Sequence, residues 1–282
     1  MLSEQELSEI REHLEKAQNP VFYYDNDADG LCSFILLRRF LGRGKGGAVR
    51  SFPDLNESYA RKARELNADY VFILDKPVLS REFVAKINEF GLPLIWIDHH
   101  DVPRGEFEKE FSNFFIYNPT RKKGKERSEE PVTYLTYNIT NRKEDMWLAM
   151  IGCIADHYLP DFSDDFLSNY PEFWGKVKAP FDAYYNTEIG KIARALNFGL
   201  KDSVTNVIKL QNFLISTRSP SEVFLECPAN STFRKKYLEV KSKYEDLIMK
   251  ARENVEHNLI FFEYGGELSI SSDISNELSY LY

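Results

Sequence analysis

The chain has 282 residues, 43% of them hydrophobic and 14% aromatic, enough apolar material for one large α/β domain or two smaller ones and too much for a disordered chain. Forty-four acidic residues against 36 basic ones leave a net charge of −8, which excludes a protein that coats nucleic acid non-specifically; any such contact must be local or assisted by metal. No apolar run approaches the roughly 18 residues of a membrane-crossing helix, and the polar, acidic start (Met1, Leu2, Ser3, Glu4, Gln5, Glu6) is unlike a secretion signal. Cys32, Cys153 and Cys227 are odd in number and widely spaced, which points to a reducing, cytoplasmic setting without disulfides.

In chain order, Ser3 and Glu6 form a capping box for an amphipathic helix carrying Leu7, Ile10 and Leu14, ended by Asn19 and Pro20. Val21, Phe22, Tyr23 and Tyr24 read as a buried strand, broken by Asp25, Asn26, Asp27, Ala28, Asp29 and Gly30. A helix over 31–41 stops at Gly42, and Arg43, Gly44, Lys45, Gly46 and Gly47 form a basic glycine loop. Then come a strand over 48–52, a helix over 55–66, a strand over 70–74 ending in Asp75, a helix over 81–90 and a strand over 92–97 ending in Asp98, His99, His100 and Asp101. Apolar strands alternating with helices predict an α/β fold, a parallel sheet with helices on both faces. After about residue 115 the pattern changes. A charged loop over 121–127 precedes a helical region to about 209, a long connector helix over 233–257, two short strands over 259–262 and 267–270, and a final helix over 273–282 with Ile274, Leu278 and Leu281 on one stripe. The implied division is 1–190, 191–257 and 258–282.

Three apolar strands end in aspartate. At the carboxyl edge of a parallel sheet this gathers Asp25, Asp27, Asp29, Asp75, Asp98, His99 and His100 on one rim. So many carboxylates repel one another, and a divalent cation removes the repulsion; mixed carboxylate and imidazole donors suit manganese, iron or zinc better than calcium. Any one of these aspartates alone reads as a helix cap or turn former. Caps do not account for every strand end together with two adjacent histidines. A calcium loop at 25–30 lacks the glutamate at its twelfth position and follows a strand.

Asp25 through Gly30, Asp75, Asp98-His99-His100 and Gly152-Cys153-Ile154-Ala155-Asp156 together resemble the four ordered motifs of the DHH phosphoesterase family. This family includes RecJ-type exonucleases, oligonucleotide and cyclic-dinucleotide phosphodiesterases, and family II pyrophosphatases. Aspartate at position 25, where many members carry histidine, resembles the RecJ-like nucleases. The resemblance implies two divalent ions, with manganese first and magnesium or cobalt as alternatives. Asp25, Asp27 and Asp75 would hold one; Asp29, Asp75, His99 and Asp156 would hold the other. It implies hydrolysis of a phosphodiester by a metal-activated hydroxide, with His100 facing the phosphate or leaving oxygen and Asp98 orienting its neighbours. Gly30 would allow a tight turn presenting a helix N-terminus to an anion. Arg43, Lys45, Arg121 and Lys122 are the basic residues proposed for phosphate contact, a solvated loop being the simpler reading of each.

The implied substrates are single-stranded nucleic acid or short oligonucleotides, with a replication or repair protein as possible partner. A small-molecule phosphohydrolase and a non-catalytic replication-associated scaffold stand as alternatives; filled ligand positions count against the scaffold. Family members usually carry a C-terminal domain with a glycine-rich motif ending in histidine. Residues 258–282 read as the start of such a domain cut short, expected to be mobile or docked elsewhere, and leaving the rim without its covering wall. His157, beside Asp156, reads as a structural or surface residue before an outer-shell ligand, and His13 and His257 are expected to lie on charged helical faces.

Overall fold

Successive side chains of an extended strand point to opposite faces, and here both faces of the central sheet are covered. The computed structural model describes residues 1–50, 54–102, 109–122, 124, 127–253, 255–256, 259–266 and 268–282. In chain order the first half comprises α1 (Glu4–Lys16), β1 (Val21–Asp25), α2 (Ala28–Leu41), β2 (Lys45–Val49), β3 (Asp54–Leu55), α3 (Glu57–Glu65), β4 (Val71–Leu74), β5 (Val78–Leu79), α4 (Arg81–Glu89), β6 (Leu94–Ile97) and β7 (Phe114–Tyr117). Five strands form one parallel sheet in the order β2-β1-β4-β6-β7, and β3 pairs with β5 in a small parallel ribbon. Val21, Tyr23, Val71, Ile73, Leu94 and Trp96 face α3 and α4, where Ala60, Ala63, Phe83, Val84 and Ile87 complete one core. Phe22, Tyr24, Phe72, Leu74, Ile95 and Ile97 face the larger core on the other side.

That larger core is built by helices: α5 (Val132–Thr140), α6 (Met146–Ala155), α7 (Ser163–Asn169), α8 (Pro180–Asn186), α9 (Glu188–Gly199), α10 (Val204–Ser216) and α11 (Ser231–Arg252), followed by the antiparallel pair β8 (Val255–Glu256) and β9 (Leu259–Ile260) and by α12 (Ser271–Leu281). α2 and α6 are apolar around most of their circumference and buried along most of their length. Gly152 lets α6 approach α5: a Cβ there would lie 2.1 Å from Thr133 Oγ1, and that hydroxyl is fixed by donating to Asp29 O at 2.9 Å. No helix among the described residues is long and apolar enough to cross a membrane.

The predicted parallel α/β sheet is present, with four local corrections. Residues 45–49 are strand β2, where the sequence predicts a glycine loop over 43–47. The glycines serve close packing there, since a Cβ on Gly46 would meet the Phe34 ring at 2.4 Å. The fifth strand, β7, falls where the alternating pattern of the sequence gives way. The long helix stops at Arg252 and is followed by β8; His257 lies outside the described residues. Residues 268–270 form no strand, and Glu267 lies outside the described residues.

The last helix is docked. Ile274 and Leu278 of α12 are buried, Tyr280 donates its hydroxyl hydrogen to Asp182 at 2.9 Å, and Lys201 pairs with Asp273 at 3.3 Å. His13 packs its ring against Phe115, with centroids 4.4 Å apart, and does not sit on a purely charged face. Because Thr133 cannot move without losing its bond to Asp29, Gly152→Ala is expected to destabilise the fold by about 1–3 kcal/mol. Urea denaturation reads this as a lowered midpoint at unchanged slope; an unchanged midpoint would contradict the packing described.

Candidate metal centre

Strand register builds the site. Tyr24 lies opposite Leu74, Leu74 opposite Ile97, and Ile97 opposite Tyr117. The next residue on each strand is Asp25, Asp75, Asp98 and Asn118, so one row of polar side chains crosses the carboxyl edge of the sheet. The chain leaves β1 for β2 on one side and returns to β4 on the other, which makes β1 and β4 the switch point where open α/β sheets bind ligands.

Local backbone aims each group. Asp27 caps α2, its Oδ1 accepting from Gly30 N at 2.9 Å. Gly30 is required by close approach: a Cβ there would lie 2.5 Å from Asp25 O. Asn197 of α9 steadies this turn by accepting from Ala28 N at 2.8 Å. Asp29, buried, reaches the start of α5, where its two oxygens accept from Val132 N (2.9 Å) and Thr133 N (2.7 Å). A carboxylate there complements the positive end of the helix. Asp75 takes a left-handed backbone conformation (φ 59°), a strained choice that aspartate tolerates better than most residues. Asp156 closes the C-terminus of α6.

These elements converge. His99 Nε2 lies 3.4 Å from Asp75 Oδ1 and 3.1 Å from Asp156 Oδ2, and Asp29, His99 and Asp156 each bring a ligand atom within 4.8 Å of the others. Asp75, His99 and His100 form a second such group. Among the described residues Asp75 Oδ1 and His99 Nε2 are buried and make no hydrogen bond, although each lies in ion-pair reach of the other. Two buried polar atoms that face each other among carboxylates without a hydrogen bond have the donor chemistry of a divalent-cation seat.

The second histidine is held differently. Fully buried Asp98 binds His100 Nδ1 at 2.8 Å and accepts from His100 N at 3.1 Å. Asn118 donates to Asp98 Oδ2 (3.1 Å) and to His100 O (3.0 Å), and Thr120 Oγ1 donates to His100 O at 3.1 Å. A carboxylate on Nδ1 fixes the ring so that Nε2 is the free edge, and the side chain is 38% exposed. Asn118 and Thr120 escaped the sequence reading. Their signal is the same strand-end pattern, an apolar run of four followed by a short polar residue, with asparagine in place of aspartate.

Electrostatics follow from crowding. Burial, then the charges of Asp156, Asp25 and Asp29, push Asp27 up to about 7; burial and Asp156 push Asp29 up to about 6. Asp75 is raised well above the usual carboxylate range by burial and then by Asp29, Asp27 and Asp156. Burial acts to lower His99, but Asp156 and Asp29 outweigh it and raise the ring to about 9. His100 is raised in the same way, burial opposing and Asp98 prevailing.

Residues 21–161 match the DHH family, N-terminal domain. The chain belongs to the DHH family. Among solved structures this DHH fold is similar to an exonuclease RecJ bound to manganese (TM-score 0.63, 16% identity, covering 89% of this chain and 70% of that one). It is also similar to RecJ in complex with Mn2+ from Thermus thermophilus (TM-score 0.59, 15% identity, 90% and 40%) and to the DHH domain of a member of the s1p family of ribosomal proteins (TM-score 0.63, 16% identity, 99% and 72%). At such identities the likeness is one of fold. The chain thus spans 70% and 40% of the lengths of the two RecJ chains. No curated protein matches in sequence.

Not every residue expected at the DHH site reaches it. Arg43 donates to Ala17 O (2.7 Å) and Glu15 O (3.0 Å), closing the end of α1, and Lys45 starts β2; both lie at the amino edge of the sheet, opposite the rim. The direction of a parallel strand decides this. Lys122 is tied to Glu6 at 2.6 Å. Arg121 follows β7 and stacks on Trp96 at 4.9 Å; Lys123, Lys125 and Glu126 of the same basic run lie outside the described residues. Nor is the rim unwalled. A cleft of about 340 Å³ beside Asp27, Asp29 and Asp156 is lined on its far side by Asp273 and Asn276 of α12, with Tyr184 and Lys201 between. His157 stacks on Phe181 (4.1 Å) at this cleft's edge.

The raised values make the ion-free fold pH-sensitive. Asp27, Asp29 and His99 bind protons more tightly folded than unfolded, so their stabilisation is fully present below the unfolded values of 3.8 and 6.5 and is lost as pH rises through about 7, 6 and 9. Chelated protein is therefore expected to lose stability from about pH 4 to pH 9. A divalent ion must displace those protons, so it should stabilise more at pH 8 than at pH 5. Urea unfolding at both pH values, with chelator and with Mn2+, checks this; an equal gain at the two would contradict it.

Proposed function

We propose that this chain is a metal-dependent phosphoesterase that hydrolyses phosphodiester bonds, acting on short oligonucleotides or the ends of single strands. The observation that carries the reading is the buried pair Asp75 Oδ1 and His99 Nε2, which face each other at 3.4 Å without a hydrogen bond among the described residues, with Asp29 and Asp156 in ligand reach of His99. Asp29, Asp75, His99 and Asp156 would hold a divalent ion, with manganese the first choice. When bound, such an ion supplies a hydrolytic nucleophile near neutral pH and stabilises charge on the phosphoryl oxygens.

The chain's own residues do the rest. His100, anchored through Nδ1 to Asp98, presents Nε2 to a phosphoryl or leaving oxygen and donates a proton there; the Asp98 bond raises its pKa, which keeps the donor form populated nearer neutrality. Asn118 and Thr120 lock the backbone carrying His100, so the ring does not have to be ordered during the reaction. A second ion on Asp25 and Asp27 belongs to the same family expectation; neither residue is in a ligand-distance group among the described residues.

Two observations favour short substrates. The cleft beside the rim, about 340 Å³, is small, at the lower end of small-molecule sites. The net charge is −8, and Arg43, Lys45 and Lys122 are turned away from the rim or tied elsewhere. Binding of long strands should therefore be weak, and, with few basic residues to release counterions, only shallowly salt-dependent. Incubation with labelled dinucleotides, longer RNA and single-stranded DNA, with pyrophosphate and cyclic dinucleotides alongside, tests the substrate class. Metal-dependent cleavage of dinucleotides faster than of long strands is expected; cleavage of pyrophosphate alone would overturn the phosphodiesterase reading.

The two histidines should separate in kinetics. His100→Ala is expected to lower kcat by about 100-fold or more, the scale of a lost general acid, with ion affinity nearly unchanged. His99→Ala is expected to weaken ion binding itself by at least about tenfold. Metal titration beside turnover measurements decides between them, and equal loss of metal in both variants would refute these roles.

A further inference from the structure

Lys76 follows Asp75 directly and is buried beneath the rim, its side chain only 3% exposed. Its carbonyl accepts from Trp96 Nε1 at 2.8 Å, which fixes the backbone just after the left-handed turn at Asp75. Its Nζ lies 3.1 Å from Asp25 Oδ1. A lysine is almost never buried without an anion, and Asp25 supplies one here.

This pairing conflicts with a divalent ion on the same carboxylate. Asp25, Asp27 and Asp75 are the expected ligands of one ion of a pair, and a cation bound to Asp25 would face the buried Lys76 ammonium across that half-buried carboxylate. The ligand-distance groups agree: among the described residues they contain Asp29, Asp75, His99, His100 and Asp156 and omit both Asp25 and Asp27. Asp27 Oδ1 is moreover engaged by Gly30 N.

We infer that Lys76 is the resident cation of the Asp25 seat, so that this chain binds one divalent ion tightly, at Asp29, Asp75, His99 and Asp156, and a second ion only weakly. The inference rests on the metal-centre reading above and corrects its expectation of two equivalent ions. Lys76 is a positioning residue. Too buried to touch substrate, it acts by neutralising Asp25 and holding it away from an incoming ion.

Metal stoichiometry tests this without relying on activity. Full-length protein is titrated with Mn2+ by calorimetry and followed by electron paramagnetic resonance, beside Lys76→Met, which keeps the side-chain length and removes the charge, and Lys76→Arg, which keeps the charge. Wild type and Lys76→Arg are expected to take one tight ion with a mononuclear spectrum. Lys76→Met is expected to tighten the second ion by at least tenfold and to show exchange coupling between two ions sharing Asp75. Two tight, coupled ions in wild type would overturn the inference while leaving the metal centre standing. So would a Lys76→Met protein, folded by circular dichroism, that still takes only one. If Lys76→Met does not fold, the wild-type stoichiometry decides. Absence of any bound ion in wild type would overturn the metal-centre reading itself and this inference with it.

Discussion

Mutual repulsion among carboxylates at one edge of a parallel sheet is the constraint around which this molecule is organised. Strand register brings Asp25, Asp75 and Asp98 into a row, α2 adds Asp27 and Asp29, and α6 adds Asp156. Burial makes the repulsion worse, as the raised values of Asp27, Asp29 and Asp75 record. The fold answers with fixed positive groups: the N-terminus of α5 against Asp29, the Lys76 ammonium against Asp25, and the two imidazoles against Asp75, Asp98 and Asp156. Among the described residues Asp75 Oδ1 and His99 Nε2 are nonetheless buried without a hydrogen bond, and that is where a divalent ion has most to gain.

The helical half of the chain serves this edge. Thr133 links three parts, donating its amide to the Asp29 carboxylate and its hydroxyl to Asp29 O, and meeting Gly152 of α6 so closely that no side chain fits there. The helix that carries Asp156 is therefore packed against the helix that binds Asp29, and the two carboxylates are set by one contact. α12 closes the cleft from the far side through Asp273 and Asn276, so residues late in the chain shape the space next to carboxylates that arise early.

Much of this was legible in the residues. Apolar runs ending in Asp25, Asp75 and Asp98 marked three strands and their common edge, because a buried strand needs continuous apolar residues and a rim does not. The spacing of Asp29, His99 and Asp156 along the chain carried the family motifs, and the structure brings the three within ligand reach. Strand β7 was missed because its run of four, Phe114, Phe115, Ile116 and Tyr117, ends in Asn118 and no charge flagged it. The glycines of β2 looked like a loop because their purpose, room for Phe34 and Tyr23, exists only in three dimensions. Arg43 and Lys45 looked close to the site because they follow it in sequence, whereas the run of α2 back across the sheet carries them to the opposite edge. Burial of Lys76 has no one-dimensional signal at all.

The central claim is that the uncompensated part of this rim is a divalent-ion seat made by Asp29, Asp75, His99 and Asp156. Anomalous diffraction at the manganese edge, from crystals of the full chain grown with Mn2+, tests it most directly. A strong peak within coordination distance of those four side chains is the predicted result. Ordered side chains with no anomalous density between them, or density confined to other carboxylates, would contradict it.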